Sequence, residues 1–137
     1  QEAHRLGVRE QLVLPGKVAE SDLAALYAAC DVFALPAGAD ERGQVEGFGL
    51  VFSEAHAHGK PVAGGKSGGV PEAVIDGETG LLVEPDDVDG LSEALLRILE
   101  DAALAERLGH NGRKRVEAEL NWAAFTQRVA DILENWA

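Results

Sequence analysis

The chain alternates short apolar runs with longer stretches in which apolar residues recur at helical spacing. Val32 to Leu35, Pro61-Val62-Ala63 and Gly80 to Val83 read as short strands bounded by Gly or Pro. Gln11 to Leu14 reads as a further strand, stopped by Pro15-Gly16. Between them the pattern turns helical. Residues 1–10 read as the end of a helix that closes near Leu6 and Gly7. Ser21 is placed to cap a helix whose apolar face is Leu23, Leu26, Tyr27 and Cys30. A helix is expected over 49–58, closed by Gly59, and Pro71 suits the first turn of a short one. This alternation predicts an α/β fold, a parallel sheet flanked by helices.

The last third is helical. Asp87 can cap a helix carrying Val88, Leu91, Leu95, Ile98 and Leu99, and Gly109 is expected to close the next, short helix. Asn121 then caps a terminal helix with Trp122, Phe125, Val129, Ile132, Leu133 and Trp136 in an amphipathic stripe. Ordinary packing on the same domain accounts for part of that stripe.

Composition narrows the picture little. The 137 residues make one domain, and 46% apolar content is ordinary for a globular protein. No apolar run approaches the roughly 18 residues that span a bilayer, and no signal peptide is visible. A formal net charge of −12 argues against nonspecific binding to nucleic acid or anionic membrane. Cys30 is the only cysteine, which excludes an internal disulfide, and its apolar helical setting predicts a buried structural thiol. The chain has no methionine and begins at Gln1, which is the expectation for a fragment or a processed product.

The chemistry concentrates in Glu46-Gly47-Phe48-Gly49-Leu50-Val51-Phe52-Ser53-Glu54. Two carboxylates lie eight residues apart, with a Gly-Phe-Gly turn opening a helix between them. A helix N-terminus offers backbone N–H groups and partial positive charge to a diphosphate. Glycines let a phosphate approach the backbone. A carboxylate accepts hydrogen bonds from vicinal hydroxyls. The loops over 37–49 and 64–70 both follow strands, so both fall on the carboxyl edge, where ligands of parallel sheets bind. A glycosidase pair is a poor fit. Eight residues on a helix separate backbones by roughly 12 Å, whereas glycosidase carboxyl groups stand about 5–5.5 Å or 6.5–9.5 Å apart. His56 and His58 are two residues apart on a helix and His4 and His110 are remote, so no metal-ligand spacing emerges. Neither a P-loop nor a Gly-x-Ser-x-Gly elbow is present.

Four segments in register carry a resemblance. They are Ala24 to Pro36, the Glu46–Glu54 pair with the residues that follow it to Ala63, Ser67 to Val74, and Asp76 to Val83. Together they resemble the C-terminal half of retaining glycosyltransferases of the GT-B fold, particularly family 4, over nearly the whole chain. The resemblance implies a Rossmann-like donor-binding domain over 1–120, incomplete on its N-terminal side. It also implies a helix over 121–137 that returns to an N-terminal, acceptor-binding domain. The stripe on that helix would then be exposed in this chain and prone to self-association.

By the same resemblance, Glu46 faces the donor sugar and the reacting centre. Gly47, Phe48, Gly49, Leu50 and Val51 contact sugar and diphosphate, mainly through backbone N–H groups. Glu54 binds the ribose, and Gly16, Lys17 and Val18 lie at the nucleobase. Gly68 and Gly69 line the floor of the cleft. Lys17, Lys60 and Lys66 are the candidate phosphate cations here, the family's basic pair belonging to sequence before Gln1. The implied substrate is a UDP-, GDP- or ADP-linked sugar, used without metal or other cofactor. Its hexose passes to an acceptor sugar, lipid or small molecule in a cytoplasmic reaction. Two alternatives remain open: a GT-B nucleotide-sugar epimerase, and a non-catalytic nucleotide-binding or interaction module.

Overall fold

The computed structural model describes residues 1–36, 38 and 47–136. Its elements, in chain order, are α1 (Glu2–Arg5), α2 (Glu20–Ala29), β1 (Phe33–Leu35), α3 (Leu50–Ala57), β2 (Val62–Gly65), α4 (Val70–Ala73), β3 (Gly80–Val83), α5 (Val88–Glu100), α6 (Ala102–Ala118) and α7 (Trp122–Glu134). The three strands form one parallel sheet in the order β1-β2-β3. Phe33 lies beside Val62, and Val62 beside Gly80. The expected α/β architecture is therefore present, with each parallel step made through helix.

The strands are short because each is apolar for only three or four residues before a Gly or Pro intervenes. Successive side chains on β2 point to opposite faces and build two cores. Val62 joins Phe52, Ala55, Val70, Ala73 and Val74, under α3 and α4. Ala63 joins Leu81, Ala94, Ile98 and Leu108, under α5 and α6. Caps behave as their residue types dictate. Asp87 accepts from the Gly90 N–H at 2.8 Å, and Asn121 from the Ala124 N–H at 2.9 Å. An Asp101 cap also starts α6, accepting from the Leu104 N–H.

Four expectations are corrected. The segment 11–14 is no strand: a 3₁₀ turn occupies Arg9–Gln11, and Val13 and Leu14 are 85% and 75% exposed. Among the described residues no strand lies beside it to supply a ladder, and an extended run without one forms no sheet. Ser21 does not cap α2. The helix begins two residues earlier, after Ala19, and the Ser21 hydroxyl turns to Asp22. On α2 only Tyr27 is buried; Leu23 and Leu26 are exposed and Cys30 is half-buried, its thiol directed at the Tyr27 carbonyl. Gly109 does not end a helix, for α6 runs through it to Ala118. A Cβ at Gly109 would lie 2.1 Å from the Gly59 carbonyl oxygen, and one at Gly112 would lie 2.3 Å from the His56 ring. These glycines are contact points where α6 presses on α3 and the turn after it.

Three α6 side chains spaced four apart fasten the same helix to the chain leading into β3. Arg107 donates to the Gly77 carbonyl and Asn111 to the Glu78 carbonyl. Arg115 donates to the carbonyls of Glu72 and Ala73 at 2.7 and 2.8 Å, placing a cation on the C-terminal end of α4.

Candidate functional site

The carboxyl edge of the sheet carries the loops after β1 and β2. There the chain enters α3 through Gly47-Phe48-Gly49. Gly49 is the N-cap, in the left-handed region at φ 76°, where other residues are strained. No side chain among the described residues caps this helix. The turn is held from the neighbouring loop, where the Gly69 N–H donates to the Gly47 carbonyl at 2.7 Å. A Cβ on Gly69 would come within 2.1 Å of that oxygen, so the two loops meet backbone to backbone. Phe48 and Val51 pack against the core and Phe52 is fully buried, which fixes the helix start. Leu50 is 68% exposed beside it. The result is a rigid, glycine-framed helix N-terminus at the sheet edge, chemistry suited to an anion.

Glu54 lies one turn further, on the face of α3 shared with Leu50, about 6 Å along the axis. It is exposed, but its carboxylate is not loose. The Tyr27 hydroxyl donates to Glu54 Oε2 at 2.8 Å. Tyr27 is itself buried, with Phe33 tilted against one side and the His58 ring stacked at 5.6 Å. Burial, reinforced by the hydrogen bond to Glu54 and its charge, pushes the Tyr27 hydroxyl up to about 12, so it stays a donor at neutral pH. The spacing pattern gave no sign of this partnership, because a tyrosine at an apolar helical position reads as core.

Gly16, Lys17 and Val18 precede α2, whose other end leads into β1. That order puts them at the end of α2 away from the start of β1. Gly16 is left-handed at φ 68°, Lys17 is exposed and Val18 half-buried. Glu46 lies outside the described residues, immediately before Gly47.

The candidate cations separate. The Lys66 ammonium sits 3.2 Å from Glu84 Oε1 on the edge that carries the α3 N-terminus. Lys60 follows α3 and precedes β2, which puts it at the opposite edge and removes it from the set.

The α3 N-terminus also borders a groove of about 740 Å³ running to the start of α7. Phe48, Leu50 and Ser53 form one wall, and Leu120, Trp122 and Phe125 another. The Ser53 hydroxyl is buried and has no partner among the described residues. Trp122 is 81% exposed and Trp136 88%, and no residue of α7 is buried. Sequence reading found the apolar stripe of α7 but not that it shares a groove with the α3 N-terminus. Among the described residues no three His, Cys, Asp or Glu side chains converge as a metal site, and no helix is long and apolar enough to cross a membrane.

A short parallel sheet with a glycine-framed helix start at its carboxyl edge defines a Rossmann-like α/β domain, the class whose ligands bind at that edge. Comparison with known proteins makes this specific. Residues 1–115 match the family model of the glycosyl transferases group 1, and the chain belongs to that family. A GDP-mannose-dependent alpha-(1-6)-phosphatidylinositol monomannoside mannosyltransferase of Mycobacterium tuberculosis is 41% identical over 132 residues, covering 96% of this chain and 34% of that protein. Among solved structures, the C-terminal domain of a Francisella tularensis group 1 glycosyltransferase aligns with a TM-score of 0.76 and 29% identity, over 88% of this chain and 60% of that one. Anabaena HepE in complex with UDP-glucose aligns at 0.83 and 28%, over 98% of this chain and 35% of that one. The fold is thus that of a GT-B C-terminal domain, and the chain spans about a third of the length of the curated relatives it matches.

Proposed function

We propose that this chain is the donor-binding domain of a retaining glycosyltransferase that transfers a hexose from a nucleotide diphosphate sugar to an acceptor hydroxyl. The observation that carries the reading is the α3 N-terminus. Its glycine turn is clamped by Gly69 and followed one turn later by a carboxylate held in place. On this reading the diphosphate caps the helix, the ribose hydroxyls bind Glu54, and the base lies over Gly16-Lys17-Val18. The helix dipole, with Lys17 and Lys66, serves the phosphates without a metal. Glu46 faces the sugar and stabilises positive charge while the acceptor attacks from the face the diphosphate leaves.

The M. tuberculosis relative and the similar mycobacterial and corynebacterial proteins are GDP-mannose-dependent mannosyltransferases, which makes GDP-mannose the first donor to try. A structural neighbour held UDP-glucose, which makes that the second. The acceptor is read elsewhere in the whole protein, so this chain alone binds nucleotide weakly and turns nothing over. Its exposed α7 face is also a surface for self-association.

The test is transfer by the whole protein that carries this domain, with the anomeric configuration of the product read by NMR. Retention in the unsubstituted enzyme is expected. Transfer lost in Glu46→Ala, with nucleotide binding kept, is expected too. An inverted product, an epimerised sugar or unimpaired transfer by that variant would contradict the reading.

A further inference from the structure

We propose that Tyr27 is a positioning residue for nucleotide recognition, holding the Glu54 carboxylate in the orientation that accepts the two ribose hydroxyls. The proposal rests on the reading of Glu54 as the ribose carboxylate and adds to it the group that sets its geometry. Glu54 stands on an exposed helix face, where a long carboxylate side chain would ordinarily sample several rotamers and lose that freedom on binding. It is instead fastened at Oε2 by a 2.8 Å hydrogen bond from a ring that is only 7% exposed.

That ring cannot move easily. Phe33 lies 5.6 Å from it and packs in turn on Phe52, and His58 stacks on it with planes 22° apart. His58 is fixed in turn, its Nδ1–H donating to the Glu54 carbonyl at 2.9 Å. The anchor therefore runs from the core to the Glu54 carboxylate. A carboxylate offers about four lone-pair directions and Tyr27 takes one, leaving Oε1 and the rest of Oε2 for a vicinal diol. Preorganisation of this kind lowers the ordering cost of binding. Tyr27 also stands on α2, the helix that begins just after Gly16-Lys17-Val18, so one element positions both the base segment and the ribose carboxylate.

A buried tyrosine needs a hydroxyl partner in any case, so the test must separate positioning from packing. The affinities of GDP and 2′,3′-dideoxy-GDP are measured for the unsubstituted chain, Tyr27→Phe and Glu54→Ala. The unsubstituted chain should bind GDP about tenfold or more tightly than the dideoxy analogue, as two hydrogen bonds to a charged group imply. Glu54→Ala should bring that ratio close to one. Tyr27→Phe should cut it several-fold while leaving the dideoxy affinity where it was.

Tyr27 is the chain's one tyrosine, so uniform 3-fluorotyrosine labelling gives a single ¹⁹F resonance. It should shift with GDP and stay still with the dideoxy analogue, and it decides the matter if Tyr27→Phe does not fold. An unchanged ratio in Tyr27→Phe, equal weakening of both ligands, or a ¹⁹F signal that moves alike with both would overturn the proposal and leave Glu54 on the ribose. A ratio unaffected by Glu54→Ala, or no discrimination by the unsubstituted chain, would instead remove the ribose reading and this inference with it.

Discussion

Two buried or strained residues set the chemistry of α3, and each has a measurable consequence. Gly49 sits at φ 76°, a conformation that costs other residues roughly 1–2 kcal/mol. Gly49→Ala should lower stability by about that amount and weaken nucleotide binding more than a side-chain loss would, because the helix start itself shifts. Chemical denaturation with parallel nucleotide titration checks both. A variant that binds nucleotide as tightly as the parent would separate the helix start from the site.

His56 is fully buried, with Nε2–H donating to the Thr79 carbonyl at 2.9 Å and Nδ1 without a partner among the described residues. Burial holds its pKa below the usual 6.5. The Thr79 carbonyl opposes that shift and the Arg115 charge adds to it. Below pH 6.5 the unfolded chain therefore takes up a proton that the folded chain does not. The contribution of His56 to stability is complete above 6.5 and is lost as pH falls through the folded value. His56→Gln, which keeps a donor for Thr79 but does not titrate, should flatten the melting temperature between pH 7 and 5 relative to the parent. An equally steep decline would assign the acid sensitivity to other groups.

At the scale of elements, α6 packs on α3 where glycine removes the side chain. Gly109→Ala would improve local helix propensity by about 1 kcal/mol. It would also drive a methyl into the Gly59 carbonyl, and overpacking of this kind costs typically 1–3 kcal/mol. A net fall in melting temperature is expected; a rise would mean that the helices separate freely.

The same glycine shows where the sequence was legible and where it was not. Gly80 to Val83 was readable to the residue because an apolar run bounded by turn residues has one meaning in an α/β pattern. Asp87 and Asn121 were readable because a cap is a local interaction. Gly109 was misread because a helical glycine means either a stop or a close contact, and only the partner helix decides. The segment 11–14 failed for the converse reason: its apolar residues suit a strand, but a strand also requires a neighbour.

For the whole molecule, topology explains why segments far apart in sequence meet at one edge of the sheet. α3 returns the chain from β1 to β2, so the start of α3 and the turn after β2 reach one edge, where Gly69 meets Gly47. The Gly47-Phe48-Gly49 turn marked that edge from sequence, since its glycines and the apolar run after them lie in one continuous stretch. Tyr27 and the α7 wall of the groove were not legible, since their relation to α3 exists only once the elements pack.

The proposed donor site would bind its nucleotide at this edge. The direct measurement is an NMR titration of the chain with GDP, UDP and ADP, following backbone amides. One nucleotide is expected to shift Gly47 to Glu54 together with Lys17 and Val18. Shifts confined to other surfaces, or none at millimolar nucleotide, would contradict it.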